Sequence, residues 1–387
     1  MKSRVEIQIR VMRVIARMNL GGPAIQVSGL MRGFSEREFD QRLYTGFCDA
    51  NESDYLDTVA TDIRATRIDG FGRRVTFGGD LKALFTLVKE IRKFKPHIIH
   101  THTAKAGFLG RLASILSMHP SIRVHTFHGH LLTGYFGRIK TLLIIISERI
   151  LAIFTDQLLA VGEKVMQDLL QVKIGKKSKF SIMPPGLELG ELPDKLESRD
   201  TLGLSSGQMY CSYIGRVTNI KRPDRFLDVV SEVRKRNIDL NFLIVGDGEL
   251  LDYCRERIVK ENLPVTVLGW RSDIERVLAA SDIVISTSDN EGTPLSLIQA
   301  GMANIPVVTT NVGSISEVVL NGITGIITST EVNELADALE KLFNDSELRQ
   351  SLGVNAQKFT KSNFGVQRLV SDHEELYQKL ISNRAKS

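Results

Sequence analysis

Short apolar runs of strand length alternate with amphipathic stretches of helix length along the chain, and near the middle the alternation starts over. Such alternation calls for parallel sheets, because a strand that returns parallel to its neighbour must cross over the sheet through a helix. In the first half, "MRVIARM" (12–18) reads as a strand, followed by Gly21-Gly22-Pro23 and a helix from about Ala24 to Phe34. "PHIIHTH" (96–102), "IRVHTFH" (122–128) and "DQLLAVG" (156–162) read as further strands, with "AGFLGRLASIL" as a helix between the first two. The second half repeats the pattern with "MYCSYIGR", the helix "RPDRFLDVVSEVRKR", "LNFLIVGDGEL", "VTVLGW", "DIVISTS" and "PVVTTNV". A length of 387 residues fits two domains better than one. The expected fold is therefore α/β, with two Rossmann-like doubly wound sheets. The boundary falls in Leu187–Gln208, which is rich in turn residues and charge and has no clear period. Phe364–Asn383 reads as a long closing helix. Ligands bind doubly wound sheets beyond the carboxyl ends of their strands, so residues just after strands carry the candidates.

Composition narrows the class further. Hydrophobic residues are 42% of the chain and charged residues 25%, a globular profile with sizeable cores. Cys48, Cys211 and Cys254 share no close spacing. That argues against a disulfide framework or a cysteine-based zinc site and suits a cytoplasmic protein. The opening MKSRVEIQIRVMRVIARMN alternates like a strand and is charged throughout, unlike a signal peptide. No run reaches the roughly 18–20 uncharged apolar residues that span a bilayer. "TLLIIISERILAIF" (Thr141–Phe154) comes nearest, and Ser147, Glu148 and Arg149 break it. Residues 1–180 hold 28 Lys/Arg against 16 Asp/Glu, whereas residues 181–387 hold 22 against 29. A basic half beside an acidic half suits an anionic partner for the first domain, or a solvated surface of uneven sign.

Three loops of the second half gather cations, free amides and an acid. In "GRVTNIKRPD", Arg216 ends a strand and Lys221 precedes a helix. Arginine forks onto phosphate oxygens and lysine adds a point charge, although a pair this sparse also occurs as plain surface charge. In "GDGEL", Gly246 and Gly248 permit a tight turn and close backbone approach, suited to a phosphate or nucleoside. Taken alone this signal is weak, and it lacks the full dinucleotide fingerprint. In "EGTPLSLIQAGMANIPVV" (291–308), Glu291-Gly292 closes a loop and the amides from Gly292 to Ser296 open a helix that can hold an anion. Pro294 fits the first turn of that helix, and Asn304 tolerates the left-handed residue that ends it. Gln299 falls on the side of the helix that looks buried.

The first half offers Gly21-Gly22 after its first strand, together with His100, His102, His125, His128 and His130 at two strand ends. These histidines read as a metal site, as caps on strand ends, or as a catalytic or sugar-binding group. No Asp or Glu stands among them to support the metal reading. "TFHGHLLTGYFGR" and Leu142–Phe154 both suit an acceptor-side surface, and the second is equally a helix crossing the core.

In order and spacing, "HIIHTHTAKAGFLGRLA", "HTFHGH", "IGRVTNIKRPD", "LIVGDGE", "LGWRSDI" and "EGTPLSLIQAGMANIPVV", with the Gly21-Gly22 loop, resemble a family-4 retaining glycosyltransferase of the GT-B fold. The resemblance spans nearly the whole chain. It implies two Rossmann-like domains facing a central cleft. Residues 1–187 would form the acceptor-side domain, with helix 364–387 packed back on it, and residues 188–363 the nucleotide-sugar domain. By resemblance, Arg216 and Lys221 neutralise the donor diphosphate, and Gly21 and Gly22 approach the same phosphates. Glu291 binds sugar hydroxyls and His128 contacts the donor sugar. Gly292, Thr293, Leu295 and Ser296 face sugar or phosphate oxygens, with Gly246 and Gly248 nearby. Trp270 and Arg271 read the base edge. In the family the last motif runs Glu, seven residues, Glu; here Gln299 stands in place of the second acid, which normally grips the ribose.

The resemblance further implies a donor that is a nucleotide-sugar, with UDP the expected nucleotide, and a glycan or polyprenyl-diphosphate acceptor in capsule, exopolysaccharide or lipopolysaccharide synthesis. It implies no metal cofactor, and the chain has no Asp-x-Asp motif. An anionic membrane surface, met peripherally from the cytoplasm, is the partner expected for the basic half. No nucleic acid is expected. A GT-B sugar-nucleotide epimerase, or a weakened, non-catalytic nucleotide-sugar binder, stays open as an alternative.

Overall fold

The chain divides into two packed units, residues 1–187 with 365–387, and residues 188–364. The computed structural model describes residues 8–34, 38–50, 52–129 and 138–386. In the first unit seven parallel strands form one sheet: β1 (Ile9–Ile15), β2 (Phe39–Thr45), β3 (Ala65–Arg67), β4 (Ile98–His102), β5 (Ile122–Phe127), β6 (Gln157–Ala160) and β7 (Phe180–Ile182). Their order is β3-β2-β1-β4-β5-β6-β7. β1 is buried on both faces, as a strand with helices on both sides must be. Met12 and Val14 meet Leu87 and Ile91 of the Phe77–Phe94 helix. Val11 packs on the opposite face with Leu30, Leu369 and Tyr377. The last two belong to the closing helix, Val366–Lys386, which thus completes the core of the first unit although it follows the second in sequence.

The second unit has six parallel strands: β8 (Met209–Ile214), β9 (Leu240–Val245), β10 (Val265–Gly269), β11 (Ile283–Ser286), β12 (Val307–Thr310) and β13 (Gly325–Thr328), in the order β10-β9-β8-β11-β12-β13. One face is covered by Phe226, Val230 and Val233 of the Pro223–Lys235 helix and by Leu335, Leu339 and Leu342 of the Val332–Asn344 helix. Leu202, Val277 and Ala280 cover the other. Both units are thus doubly wound. Each reverses strand order once from its first strand, at β1/β4 and at β8/β11.

Three expectations need correction. Leu187–Gln208 is not wholly irregular, because Lys195–Thr201 is a helix. Asp194 caps it by accepting from the amides of Leu196 and Glu197, and Arg199 ties it to Asp282 at 2.7 Å. Seven residues are too few to show a period. His100 and His125 lie inside β4 and β5 rather than at strand ends, whereas His102 does close β4. The Leu142–Phe154 segment does not cross the core, since most of its apolar side chains face outward. Among the described residues no helix is long and apolar enough to cross a membrane.

Candidate active site

The loops after β8 and β11 meet where the strand order of the second unit reverses, the position at which such sheets bind ligands. After β8 the chain passes Gly215 and Arg216, makes a single 3-10 turn at Asn219–Lys221, and enters the Pro223–Lys235 helix through Arg222 in a left-handed conformation. After β11 it runs through Ser288, Asp289 and Glu291 to the Leu295–Met302 helix. Lys221 Nζ donates to Glu291 Oε1 at 2.5 Å, and Ser288 Oγ donates to the same oxygen at 2.6 Å. Glu291 is buried, so this pairing offsets the desolvation of its charge. Gly313 fixes its backbone: φ is +56°, and a Cβ there would lie 1.9 Å from the Glu291 carbonyl oxygen. Arg216 stands apart. It is exposed, and its guanidinium makes no ion pair or hydrogen bond among the described residues.

A second cluster staples these loops together. Arg222 and Arg225 both bind Asp289, at 3.1 and 2.7 Å, and Arg225 also donates to the Thr287 carbonyl at 2.6 Å. Sequence reasoning passed over Asp289, Arg225, Ser288 and Gly313. The charges of "RPDR" and "SDN" were visible as signals, but their pairing across 64 residues or more was not.

The other predicted positions of this unit follow the same carboxyl edge. Gly246 and Gly248 come after β9, and the structure supplies an internal reason for both. A Cβ at Gly246 would lie 1.9 Å from the Gly215 carbonyl oxygen, and one at Gly248 would lie 2.4 Å from that of Val217. These glycines let the β9 loop press against the β8 loop that carries Arg216. The following helix starts only at Leu251, so its amino end is not formed by the glycines themselves. Trp270, after β10, is half exposed. Arg271 is forked onto Asp273 through two contacts of 2.7 Å. Pro294 precedes the Leu295–Met302 helix rather than lying in its first turn. The amides of Leu295 and Ser296 come before the first intrahelical acceptors, with Gly292 and Thr293 just upstream. Thr293 Oγ1 is buried with no hydrogen-bond partner among the described residues. Asn304 takes the expected left-handed conformation, φ 64°. Gln299 is not a core residue: Leu297, Ile298 and Ala300 around it are buried, whereas its own side chain is half exposed and makes no hydrogen bond among the described residues.

In the first unit the reversal lies between β1 and β4. Gly21 and Gly22 follow β1, and the Gly22–Gly33 helix begins there. Unlike Gly246, Gly21 has no internal need to be glycine, because a Cβ would meet only Asn19 and Pro23 at 4.0 Å. His128 lies just past β5, and its Nε2 is 3.1 Å from Nδ1 of His102, the last residue of β4. Burial pushes the His128 pKa down to about 3, so the ring is a neutral hydrogen-bonding group and not a cation. His100 and His125 are structural. His100 touches Tyr377 Oη at 2.6 Å and Thr126 Oγ1 at 2.7 Å, and its Nδ1 lies 3.3 Å from Nη1 of fully buried Arg13. His125 faces Thr101 Oγ1 at 2.8 Å. Burial depresses the pKa of both, so both rings are neutral. His130 and the 131–137 stretch lie outside the described residues. Among those described, no three His, Cys, Asp or Glu side chains gather in a way that could hold a metal ion.

Two family models match the chain: residues 20–191 fit "Glycosyltransferase Family 4" and residues 194–359 fit "Glycosyl transferases group 1". Among curated proteins, the chain is 28% identical over 344 residues to an Escherichia coli UDP-Gal:α-D-GlcNAc-diphosphoundecaprenol α-1,3-galactosyltransferase, covering 86% of this chain and 87% of that one. It is 24% identical over 319 residues to the Staphylococcus aureus capsular polysaccharide biosynthesis glycosyltransferase CapM, covering 80% and 83%. Among solved structures, Anabaena HepE in complex with UDP-glucose superposes with a TM-score of 0.82 at 18% identity, over 96% of this chain and all of that one.

Proposed function

Because the chain belongs to the family-4 glycosyltransferases of the GT-B fold, we propose that it moves a sugar from a UDP-sugar, with the anomeric configuration retained, to a glycan or polyprenyl-diphosphate acceptor in cell-surface polysaccharide synthesis. One observation carries this reading: the loops at β8/β11 join Lys221 to Glu291 and leave Arg216 exposed with no ion pair among the described residues. Breaking the bond between sugar and diphosphate builds negative charge on the leaving phosphate. Cations already fixed in place stabilise that charge without reorganising, which is ordinarily the largest catalytic contribution. Lys221, held by Glu291, takes this role, and Arg216 adds a guanidinium free to fork onto the phosphate. Glu291, held by Gly313 and Ser288, is set to accept from sugar hydroxyls. The amides of Gly292–Ser296 and the unpartnered Thr293 hydroxyl supply donors for sugar or phosphate oxygens. Gln299 faces the ribose, and Trp270, with Arg271 held by Asp273, faces the base. In the first unit, His128 offers a neutral ring to the donor sugar, and the open approach at Gly21–Gly22 admits phosphate.

The undecaprenol-linked substrate named for the E. coli relative motivates the lipid-linked acceptor. Such an acceptor suits a protein working peripherally at an anionic membrane, as does the basic first half. Transfer proceeds without a metal, Arg216 and Lys221 supplying the positive charge. The epimerase and non-catalytic alternatives gain nothing from the comparisons.

The test has two stages. A thermal-shift panel of UDP-, GDP-, ADP- and TDP-sugars should single out one base, since only a bound ligand stabilises. Transfer from that donor to a polyprenyl-diphosphate glycan is then followed with and without EDTA. No transfer to any lipid-linked acceptor overturns the acceptor assignment. Activity lost in EDTA and restored by magnesium or manganese overturns metal independence.

A further inference from the structure

The Arg138–Ile153 helix turns most of its large apolar side chains outward. Ile139, Leu142, Leu143, Ile146, Ile150 and Ile153 recur at three- and four-residue steps, which puts them in one stripe, and all six are 42–78% exposed. Its inward side holds Leu151 and Ala152 and, beside them, Glu148, whose carboxylate accepts from Arg111 Nη2 at 2.8 and 2.6 Å. Both residues are almost fully buried, and Arg111 Nε also donates to the Gly107 carbonyl at 2.7 Å. Rolling the stripe into the core would carry Glu148 out to solvent and leave Arg111 buried without its counter-charge, a strongly unfavourable change. The ion pair therefore holds the apolar stripe outward.

The surrounding charge selects the occupant. Between residues 138 and 154 the only acid is Glu148, and it is buried. Lys140 and Arg149 are exposed and flank the stripe on opposite sides. Cations at the margins with aliphatic side chains between them match an anionic bilayer surface, with headgroups at the rim and acyl chains beneath. A second copy of the chain on this face would bring like charges together. Sixteen residues are too few to span a bilayer but sufficient to lie along one.

We propose that this helix lies in the plane of an anionic membrane with the Ile139–Ile153 stripe inserted below the headgroups. The proposal rests on the peripheral-membrane reading above and adds apolar insertion to it. Pure electrostatic attachment is released by salt, whereas an inserted stripe leaves a salt-resistant fraction.

Full-length protein is sedimented with phosphatidylglycerol–phosphatidylcholine vesicles and with phosphatidylcholine alone, at low and high salt. Wild type should bind the anionic vesicles and keep a salt-resistant fraction. Ile146→Glu/Ile150→Glu should lower partitioning by about tenfold or more at an unchanged melting temperature, since both sites are exposed. Ile146→Trp should be quenched by brominated acyl chains. Binding by the double variant equal to wild type, with no quenching, overturns the inserted stripe and leaves surface attachment standing. No binding of wild type to either vesicle overturns both. A wild-type dimer in sedimentation velocity that the double variant abolishes, with vesicle binding unchanged, assigns the stripe to a second copy and also overturns the proposal.

Discussion

Arg216 and Lys221 carry the same charge five residues apart, yet their surroundings make them unequal. Arg216 is exposed and unpaired, so Arg216→Ala should cut turnover by about 10²-fold and leave the melting temperature unchanged. Lys221 neutralises the buried Glu291, so Lys221→Ala should cut turnover comparably and also cost about 1–3 kcal/mol of stability. Steady-state kinetics beside denaturant melts separates the two, and equal melting of both variants would show that the Lys221–Glu291 contact contributes nothing to stability. Gln299 raises a different question. Its side chain makes no hydrogen bond among the described residues, and it sits at the position the family-4 resemblance gives to a second acid, in the helix that follows Glu291. An amide oxygen accepts from a ribose hydroxyl without charge assistance, and a carboxylate accepts with it. Gln299→Glu should therefore tighten nucleoside-diphosphate binding about three- to thirtyfold, the factor matching roughly 0.7–2 kcal/mol. Calorimetry reads this directly; unchanged or weaker affinity would remove Gln299 from the ribose.

At the scale of elements, β4, β5 and the closing helix share a layer of neutral imidazoles. Burial depresses the pKa of His100, His102 and His125, and takes His128 and His373 down to about 3. The unfolded chain binds protons near pH 6.5 that the folded layer refuses, so the associated stability is complete above that pH and is lost as pH falls toward the folded values. Each histidine contributes up to about 1.4 kcal/mol per pH unit in that window. Hydrogen exchange at pH 7 and pH 5 should show β4 and β5 weakening with acid while β8 and β9 hold; equal protection at both pH values would contradict this. The histidines also show where reading the sequence stops. The strands themselves were legible, because fully buried parallel strands are continuous apolar runs. A histidine within such a run resembles one just past its end, and only register decides: His100 faces Arg13 on β1, whereas His128 clears the sheet. The glycine of "AKAG" marks the same limit. Gly107 is small because a Cβ there would lie 2.4 Å from the His125 ring, a contact between elements that spacing does not reveal. Site loops were legible as motifs, while the Arg222–Asp289–Arg225 staple and the Gly313 support depend on pairings across the fold.

Over the whole molecule, chain order and core membership part company at the end. Leu369 lies five residues beyond the last residue of the second unit, yet it is fully buried in the first, beside Leu30, Phe34 and Ile98. Leu342, nearer the chain's middle, is equally buried but in the second unit's core. A buried leucine cut to alanine costs about 2–5 kcal/mol, through lost transfer energy and the cavity left behind. The two substitutions should therefore act on different units. Leu369→Ala should speed amide exchange in β1 and β4 while leaving β8 and β9 protected and nucleoside-diphosphate affinity within about twofold, roughly 0.4 kcal/mol. Leu342→Ala should do the reverse, loosening β8 and β9 and weakening nucleoside-diphosphate binding. If Leu369→Ala loosened both units equally, they would unfold as one cooperative body, and the closing helix would stabilise the whole chain rather than the first core alone.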